Sequence, residues 1–391
     1  MSKAKGEAKH MIRIEQDGLG ARVLPSHAYY GIRTLRASEK IPHGAGMPIH
    51  GELMKALACV KKAAALAHLE SGTLPARISG LIVKAAEEVI AGQHARDIVV
   101  DWLQDPTGES LNMNVNEIIA NRALELMLED KGNYSILDPV RHVNRGQSAS
   151  GVIAMALRVA SHRLAERLIR SVDQLIGALA AKKSEIGSRP MPEGHQEQPG
   201  TPAWFSRRLD EGARQLQSGM ERMAAANARL AASLTTTNAG MENEAIASKT
   251  LSHLRNNAQI GESIGDGNGP AERNNEAFTR LSSAVRHLAL NLSNLCSDIR
   301  LAASLQNLAD SPEWISGKEV AASEALGQIA FQAIGFDHSL GLAAEAGMLD
   351  PGAIPPVVAY NLLESLTMMD KGVEAFATAI QSHAGRSASC R

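Results

Sequence analysis

Apolar residues recur every three or four positions over long stretches of this chain, a spacing that predicts helices rather than strands. Because long helices with narrow apolar stripes need partners, the pattern predicts a helical bundle. A stripe on more than one face would imply a bundle shared between subunits. The clearest stripe predicts one helix that reaches about Lys183, and it contains Leu157, Leu164, Leu168, Val172, Leu175 and Leu179. Further stripes occupy Leu216–Leu234, Leu281–Ile299, Val320–Ala333 and Val357–Ile380.

The first third of the chain has shorter periodic segments. Leu53–Leu69 and Ile78–Ala91 predict two helices, and the turn residues of Ser71–Pro75 separate them. Met11–Pro42 contains several glycines and a proline and is predicted to be irregular. We therefore expect three parts: an N-terminal helical domain over residues 1–140, a central long-helix bundle over 141–349, and a C-terminal helix with its tail over 350–391.

One polar stretch interrupts this pattern. In Asp101–Glu125, the segment Asp105–Ser110 predicts a turn, and a helix with apolar positions follows it. Asparagine is a mediocre helix former, so a concentration of asparagines here needs a reason. Either they cap and pack between helices, or they flank an anion site at a helix start, where backbone N–H groups are exposed. The asparagines are Asn112, Asn114, Asn116 and Asn121.

Composition excludes several classes of protein. The net charge of −2 gives no reason to expect nucleic acid or an anionic membrane surface as a partner. The 3% aromatic content suits packed helices better than a β-sandwich. The three cysteines lie far apart with no metal-ligand or redox spacing, so we expect a reduced cytoplasm, no metal and no cofactor. No run of about eighteen apolar residues exists, so no membrane span is expected.

The asparagine-rich stretch resembles the first conserved region of the aspartase/fumarase superfamily, D-x-x-Q-x-G-[AS]-G-T-x-x-N-M-N-x-N-E-x-[IL]-[AS]-N. Arg13–Asp17 and Pro25–Ala37 are similar to the N-terminal segment of that family. The resemblance implies an all-α fold with a long central bundle, a homotetramer and a small-molecule substrate. The matching residues are Asp101, Gln104, Gly108, Asn112, Met113, Asn114, Asn116, Glu117 and Asn121.

A second region strengthens the resemblance. His142–Gly151 is similar to H-V-N-x-x-Q-S-x-x-D and matches it at His142, Val143, Asn144, Gln147 and Ser148. In the family, each active site joins three regions from three subunits, and a Gly-Ser-Ser loop supplies the base. This chain instead passes through Leu305–Gly317, where Ser311 and Ser316 are ordinary loop serines or replacements for the base. The small domain that follows the bundle in aspartases is also expected to be missing.

Glu109 stands where the family has a threonine. Beside a bound dicarboxylate, its charge would cost on the order of 4 kcal/mol at about 4 Å. If Glu109 lines a pocket, that pocket suits a cationic or neutral substrate, or Glu109 acts as an acid or base. Alternatively, its carboxylate turns away and stabilises the helix start.

His195 lies between Glu193 and Glu197, in the segment Pro192–Pro199 that replaces the family's T-H-x-Q-x-A-x-P, and it matches the histidine of that motif once a deletion is allowed. It is either a general acid or base or an exposed loop histidine. No second ligand cluster completes a metal site around it.

Two functions remain open. The first is a diverged lyase that eliminates or adds across a C–N or C–O bond, with His195, Glu109 and Ser148 as catalytic residues. Its substrate-binding residues are predicted to be Thr107, Asn112, Asn114, Gln147 and Ser150. The second is a non-catalytic relative that serves as a binding or scaffold subunit.

Overall fold

The fold is built almost entirely from helices, as the periodicity predicted. The computed structural model of this chain describes residues 12–40, 48–103, 107–187, 198–234, 241–258, 276–308, 314–346 and 354–387. Two strands form an antiparallel hairpin, β1 (Ile12–Asp17) and β2 (Gly20–Pro25). The helices are α1 (Ile32–Lys40), α2 (Gly51–Glu70), α3 (Ala76–Ile90), α4 (Glu109–Leu126), α5 (Ala149–Gly187), α6 (Pro202–Ser233), α7 (Glu244–Ala258), α8 (Glu276–Leu308), α9 (Gly317–Glu345) and α10 (Pro356–Ser387), with a 3₁₀ turn at Ala95–Asp97 and a π-helical turn at Pro139–Val143.

The long helices match the predicted stripes. Helix α5 contains 39 residues, which corresponds to a length of about 58 Å at a rise of about 1.5 Å per residue. Helices α6 and α8 run antiparallel and pack closely because α6 presents glycines to α8. A Cβ atom on Gly212 would lie 2.9 Å from Leu295 Cδ1, and one on Gly219 would lie 3.4 Å from Leu288 Cδ1. These glycines therefore set the short distance between the two helices.

The prediction that Met11–Pro42 is irregular was wrong, because residues 12–25 form the hairpin and Ile32–Lys40 forms α1. The hairpin was missed because its polarity is inverted. Ile14 is 70% exposed and Val23 is 57% exposed, whereas Glu15 is buried. A strand pattern is recognised from apolar residues that face inward, and this hairpin turns several of them outward.

Buried carboxylates hold the start of α1. Glu117 of α4 is fully buried and accepts hydrogen bonds from the backbone N–H groups of Gly31, Arg33 and Thr34, at 2.8, 3.0 and 3.1 Å. Glu15 accepts a fourth, from Ile32 N at 2.8 Å. These bonds satisfy N–H groups that a helix start leaves without intrahelical partners. The matched acidic residue of the first motif therefore anchors the N-terminal segment.

Arg13 of β1 holds the hairpin to the segment that follows it. Its guanidinium donates to Glu15 and to the backbone carbonyl oxygens of Pro25 and Ala28. These contacts brace the hairpin from inside.

The chain forms two compact units. The first comprises Met1–Ala160, Ala231–Asn275 and Ala343–Tyr360, and the second comprises Ser161–Leu230, Glu276–Leu342 and Asn361–Arg391. This division rests on spatial proximity, and the boundaries expected from the sequence stay a prediction. Across the described residues, no helix has both the length and the apolar character that crossing a membrane requires.

Candidate functional site

A buried lysine joins the two motifs that resemble those of the superfamily. Lys61 lies on α2 with no exposed surface. Its Nζ donates to Asn112 Oδ1 at 2.7 Å, to Asn144 Oδ1 at 2.6 Å and to Gln147 Oε1 at 2.9 Å. We call these four residues the Lys61 cluster. Asn112 belongs to the first motif, and Asn144 and Gln147 belong to the second, so the fold brings together segments that are more than thirty positions apart.

The amide NH₂ groups of the cluster are bonded as well. Asn112 Nδ2 donates to Asn144 Oδ1 at 3.2 Å, and Asn144 Nδ2 donates to the backbone carbonyl oxygen of Gln147 at 3.0 Å. Gln147 Nε2 donates to the carbonyl of Val143 at 3.0 Å. Because each amide is held at both ends, its orientation is fixed. The cluster is therefore a rigid element.

Local structure positions the second motif. Asp138 starts the π-helical turn by accepting from Val140 N and Arg141 N, both at 2.7 Å. The turn ends at Asn144, whose backbone N donates to the carbonyl of Pro139 at 3.0 Å. On α2, seven residues after Lys61, the buried His68 places its Nε2 3.0 Å from the carbonyl oxygen of Arg145. Helix α2 thus contacts this segment at two levels.

The electrostatics of the cluster are those of a buried cation among neutral oxygens. Burial lowers the pKa of Lys61 well below its usual value, and the negative charge of Glu109 opposes that shift. The geometry favours the charged form, since three acceptors match the three N–H donors of an ammonium group. Burial therefore works against the charge while the hydrogen bonds and Glu109 support it.

Two helix starts lie against each other beside this cluster. Gly108 precedes α4 in a left-handed conformation, with φ of 68°, and a Cβ atom there would lie 2.7 Å from Ile153 Cγ1 in the first turns of α5. Ser148 caps α5, because its Oγ accepts from Gly151 N at 3.2 Å. Helix starts carry partial positive charge and favour anions. This juxtaposition can hold an anionic group.

Apart from Asn114, the predicted site residues fall into three sets. Glu109 and Thr107 are exposed at the start of α4, Ser148 is exposed at the start of α5, and Ser150 is half-buried in the first turn of α5. Asn112 and Gln147 belong to the Lys61 cluster. His195 lies outside the described residues, as does Ser311. The roles assigned to these residues stay predictions.

Other asparagines of the first motif serve packing. Asn114 accepts from Val99 N and donates to the carbonyl of Asp97, both at 3.0 Å. Asn121 donates to the carbonyl of Tyr29 at 2.8 Å and accepts from Gly132 N at 2.8 Å. Packing between segments, one of the two explanations for these asparagines, therefore accounts for Asn114 and Asn121.

Ser316, a candidate replacement for the base, has a structural role. Its Oγ accepts from Glu319 N at 3.3 Å, and its backbone N donates to Glu319 Oε2 at 2.7 Å. This is a capping box at the start of α9.

Lys61 was missed from the sequence. The pair Lys61-Lys62 looks like a solvated face, yet Lys61 follows Leu57 and Ala58 on the buried face of α2. The sequence offered one sign that Lys61 is buried: it lies four residues after Leu57 and four before Ala65, within an apolar stripe. Among the described residues, no group of three or more His, Cys, Asp or Glu side chains could hold a metal ion.

Comparisons with known proteins find chains that are similar to this one in sequence and in fold. A sequence model of a family described as lyase matches residues 20–309. Aspartate ammonia-lyase from Bacillus subtilis is 33% identical over 382 residues, covering 93% of this chain and 80% of the relative. The same enzyme from Escherichia coli is 32% identical, covering 92% and 78%. A fumarate lyase:delta crystallin structure from Brucella melitensis, bound to cobalt, has a TM-score of 0.79 at 28% identity, covering 94% of this chain and 83% of that one.

Proposed function

Because this chain belongs to the lyase family, of the aspartase/fumarase type, we propose that it is a diverged lyase acting on a small amino- or carboxy-bearing substrate. The reaction is elimination or addition across a C–N or C–O bond. The aspartate ammonia-lyase relatives favour the C–N bond. A homotetramer and a cytoplasmic location are part of this proposal.

The observation that carries the proposal is the convergence of the two motifs on Lys61. Two segments that could pack independently are instead tied by three short hydrogen bonds to one buried cation. Their neighbours Glu109 and Ser148 open two helices whose first turns touch. A fixed polar wall beside two helix starts is a preorganised environment for a carboxylate and for the negative charge that develops when its α-proton is removed.

In elimination, a base takes the proton from the carbon next to the carboxylate. The electron pair of that C–H bond forms the C=C double bond, and the bond to nitrogen or oxygen breaks. The leaving group then takes up a proton. We assign the proton transfers to His195 and Glu109 and place Ser148 beside the reacting carbon. Substrate contacts are assigned to Thr107, Asn112, Gln147 and Ser150.

Divergence is part of the proposal. Glu109 adds a negative charge at the start of α4, where the family motif has a threonine, and Ala149-Ser150-Gly151 replaces further motif residues. A substrate that carries a positive charge near Glu109 would turn repulsion into attraction. We therefore propose an amine-bearing substrate in preference to a plain dicarboxylate.

A second function has an observation of its own in its favour. Every amide group of Asn112, Asn114, Asn144 and Gln147 is bonded within the protein. Amides that are already satisfied serve packing as well as they serve a substrate. This supports a non-catalytic relative that acts as a binding or scaffold subunit.

Crystals soaked separately with fumarate, L-aspartate and a small diamine test the two functions. Density from the amine beside Glu109 and Ser148, with none from fumarate, supports a lyase whose pocket prefers an amine-bearing substrate to a dicarboxylate. Fumarate density would show that Glu109 turns away from the substrate. No density in any soak, together with no double-bond formation from L-aspartate, would favour the non-catalytic relative.

Variants then test the assigned groups. Once a substrate is found, Glu109→Gln and His195→Ala are expected to lower turnover at least about 100-fold, the usual contribution of a general acid or base. Asp130→Asn is the matched control, because it removes one exposed carboxylate from the same unit. Equal turnover in Glu109→Gln and Asp130→Asn would remove Glu109 from the mechanism.

A further inference from the structure

A histidine near the end of α2 anchors the second motif from outside it. His68 is 3% exposed and lies seven residues after Lys61. Its Nε2 lies 3.0 Å from the backbone carbonyl oxygen of Arg145, and its Nδ1 lies 2.7 Å from Thr73 Oγ1. Both ring nitrogens therefore have partners, and the partner of Nε2 belongs to the backbone of the second motif.

The surroundings of the ring determine which nitrogen carries hydrogen. A carbonyl oxygen can only accept, so Nε2 of His68 must be the donor to Arg145. In the neutral ring Nδ1 is then an acceptor, and the hydroxyl of Thr73 faces it as the donor. The same hydroxyl lies 3.2 Å from the backbone carbonyl oxygen of His68, to which it can turn when Nδ1 gains a proton.

The next two carbonyl groups of the second motif are held as well. That of Gly146 accepts from the backbone N of Glu242 at 3.1 Å, and that of Gln147 accepts from Asn144 Nδ2 at 3.0 Å. Three successive peptide carbonyls therefore have donors, and the histidine supplies the first of them. The residue that follows these three peptide groups is Ser148, at the start of α5.

The environment of His68 disfavours its charged form. Burial lowers the pKa of His68 below its ordinary value of 6.5, the bond to the carbonyl of Arg145 opposes that shift, and the positive charge of Arg145 adds to it. Glu70, which pairs with His253 of α7 at 2.8 Å, and Lys249 of α7 also lie at this end of α2. Because the pKa is lowered, the contribution of His68 to stability is complete above the ordinary value and is lost as pH falls through the lowered one.

We propose that His68 is a positioning residue of the candidate site, which holds the backbone of the second motif while its ring is neutral and releases that backbone when the ring gains a proton. A proton on Nδ1 places a charge in a buried position near Arg145, so the ring is more stable in an opened, hydrated form. The carbonyl of Arg145 then loses its donor, and the backbone that leads to Gln147 and Ser148 loosens. This effect does not depend on any reaction, and its meaning for a substrate rests on the proposed function.

The test is amide hydrogen exchange of the full chain, followed by mass spectrometry of peptides that contain Gln147 and Glu242. Their backbone N–H groups are bonded to Asn144 and Gly146, both at 3.1 Å, so their exchange reports opening of the second motif. At neutral pH, His68→Leu should raise the exchange rates at least about tenfold, because it leaves a buried carbonyl without its donor. His68→Gln should restore the rates to within about threefold of the unaltered chain, because its amide nitrogen can donate to the same carbonyl.

A pH series separates positioning by the ring from simple packing. Between about pH 7.5 and about pH 4.5, the ratio of exchange rates in the unaltered chain to those in His68→Gln should rise at least about fivefold, because glutamine does not titrate. Taking this ratio at each pH cancels the intrinsic effect of pH on exchange. His253→Gln is the matched control, since it removes a partly exposed histidine at the same end of α2 and should follow the unaltered chain.

Three results would overturn the proposal: a ratio that is constant with pH, equal exchange in His68→Leu and His68→Gln, or the change of His68→Gln reproduced by His253→Gln. The pH series needs only His68→Gln, so it decides the question even where His68→Leu fails to fold. A chain that passes these tests but binds none of fumarate, L-aspartate and the diamine would keep the positioning role of His68 and lose the proposed lyase function.

Discussion

Replacing Lys61 by methionine tests whether the Lys61 cluster holds the two motifs together. Methionine fills nearly the same space, so the loss of packing should be small. The substitution leaves Asn112 Oδ1 and Gln147 Oε1 without the donor that each now has. Asn144 Oδ1 keeps its bond from Asn112 Nδ2. Two orphaned acceptors cost about 1–3 kcal/mol each.

Removing a buried cation also has a stabilising effect, which opposes the cost of the orphaned acceptors. Burial of an ammonium group costs several kcal/mol, and methionine relieves that cost. Breaking a buried polar network at one partner nevertheless destabilises proteins, because the remaining groups stay buried. We therefore expect Lys61→Met to lower the free energy of unfolding by about 2–4 kcal/mol.

Lys62→Met is the matched control on the neighbouring position of α2. Lys62 Nζ lies 2.8 Å from Glu87, whose side chain is 52% exposed, and such pairs contribute about 0.2–1 kcal/mol. Urea unfolding of both variants at one protein concentration measures the difference. If Lys61→Met were as stable as Lys62→Met, the reasoning on buried acceptors would be refuted.

The same pair of variants has a pH signature. Because burial lowers the pKa of Lys61, the unfolded chain binds more protons than the folded one between that lowered value and the ordinary value of about 10.4. The contribution of Lys61 to the free energy of unfolding of the unaltered chain therefore increases as pH rises through this window. The difference in the free energy of unfolding between the unaltered chain and Lys61→Met should therefore increase as pH rises. A difference that does not change with pH would contradict the lowered pKa of Lys61.

Two further substitutions test the helix starts. Gly108→Ala adds a Cβ atom 2.7 Å from Ile153 to the strain of a positive φ, whereas Gly146→Ala, at φ of 61° with open space around it, carries the strain alone. Differential scanning calorimetry should show a lower melting temperature for Gly108→Ala than for Gly146→Ala. Equal melting temperatures would show that a Cβ atom at position 108 meets no steric contact. Burial raises the pKa of Glu117, so its contribution to stability is complete below the ordinary pKa of about 4.3 and falls as pH rises through the raised value. Glu117→Gln should flatten that pH dependence in urea unfolding, and an unaltered profile would contradict the stated cause.

The sequence predicted the long helices well because their packing is local and periodic. The stripe from Leu157 to Leu179 lies within α5, Leu281–Ile299 lies within α8, and Val357–Ile380 lies within α10. Most of each helix buries one face, although α5 is buried on all sides over residues 155–161, so the period of 3.6 residues can be read from the sequence. Antiparallel packing, by contrast, depends on glycines such as Gly212, whose role appears only when Leu295 is placed opposite.

The candidate site was predictable only in part. The motif residues Asn112 and Gln147 were named from the sequence, but Lys61 was not, because a lysine is normally solvated and no local pattern shows that Lys61 is fully buried. Nor could the sequence distinguish Asn114, which braces the backbone near Val99, from Asn112, which contacts the cation. Such differences arise from tertiary contacts between segments with no common local pattern.

The wide sequence separation within the Lys61 cluster has a consequence for the lifetime of the folded molecule. Lys61 and Gln147 are separated by 86 positions, and Glu117 lies equally far from Gly31. Contacts that close such long loops pay a large entropic cost, so they tend to form after local helices have docked. Interactions absent from the folding transition state slow unfolding rather than accelerate folding. We therefore expect the Lys61 cluster to form late in folding, so that it slows unfolding and prolongs the life of the assembled site while changing the folding rate little.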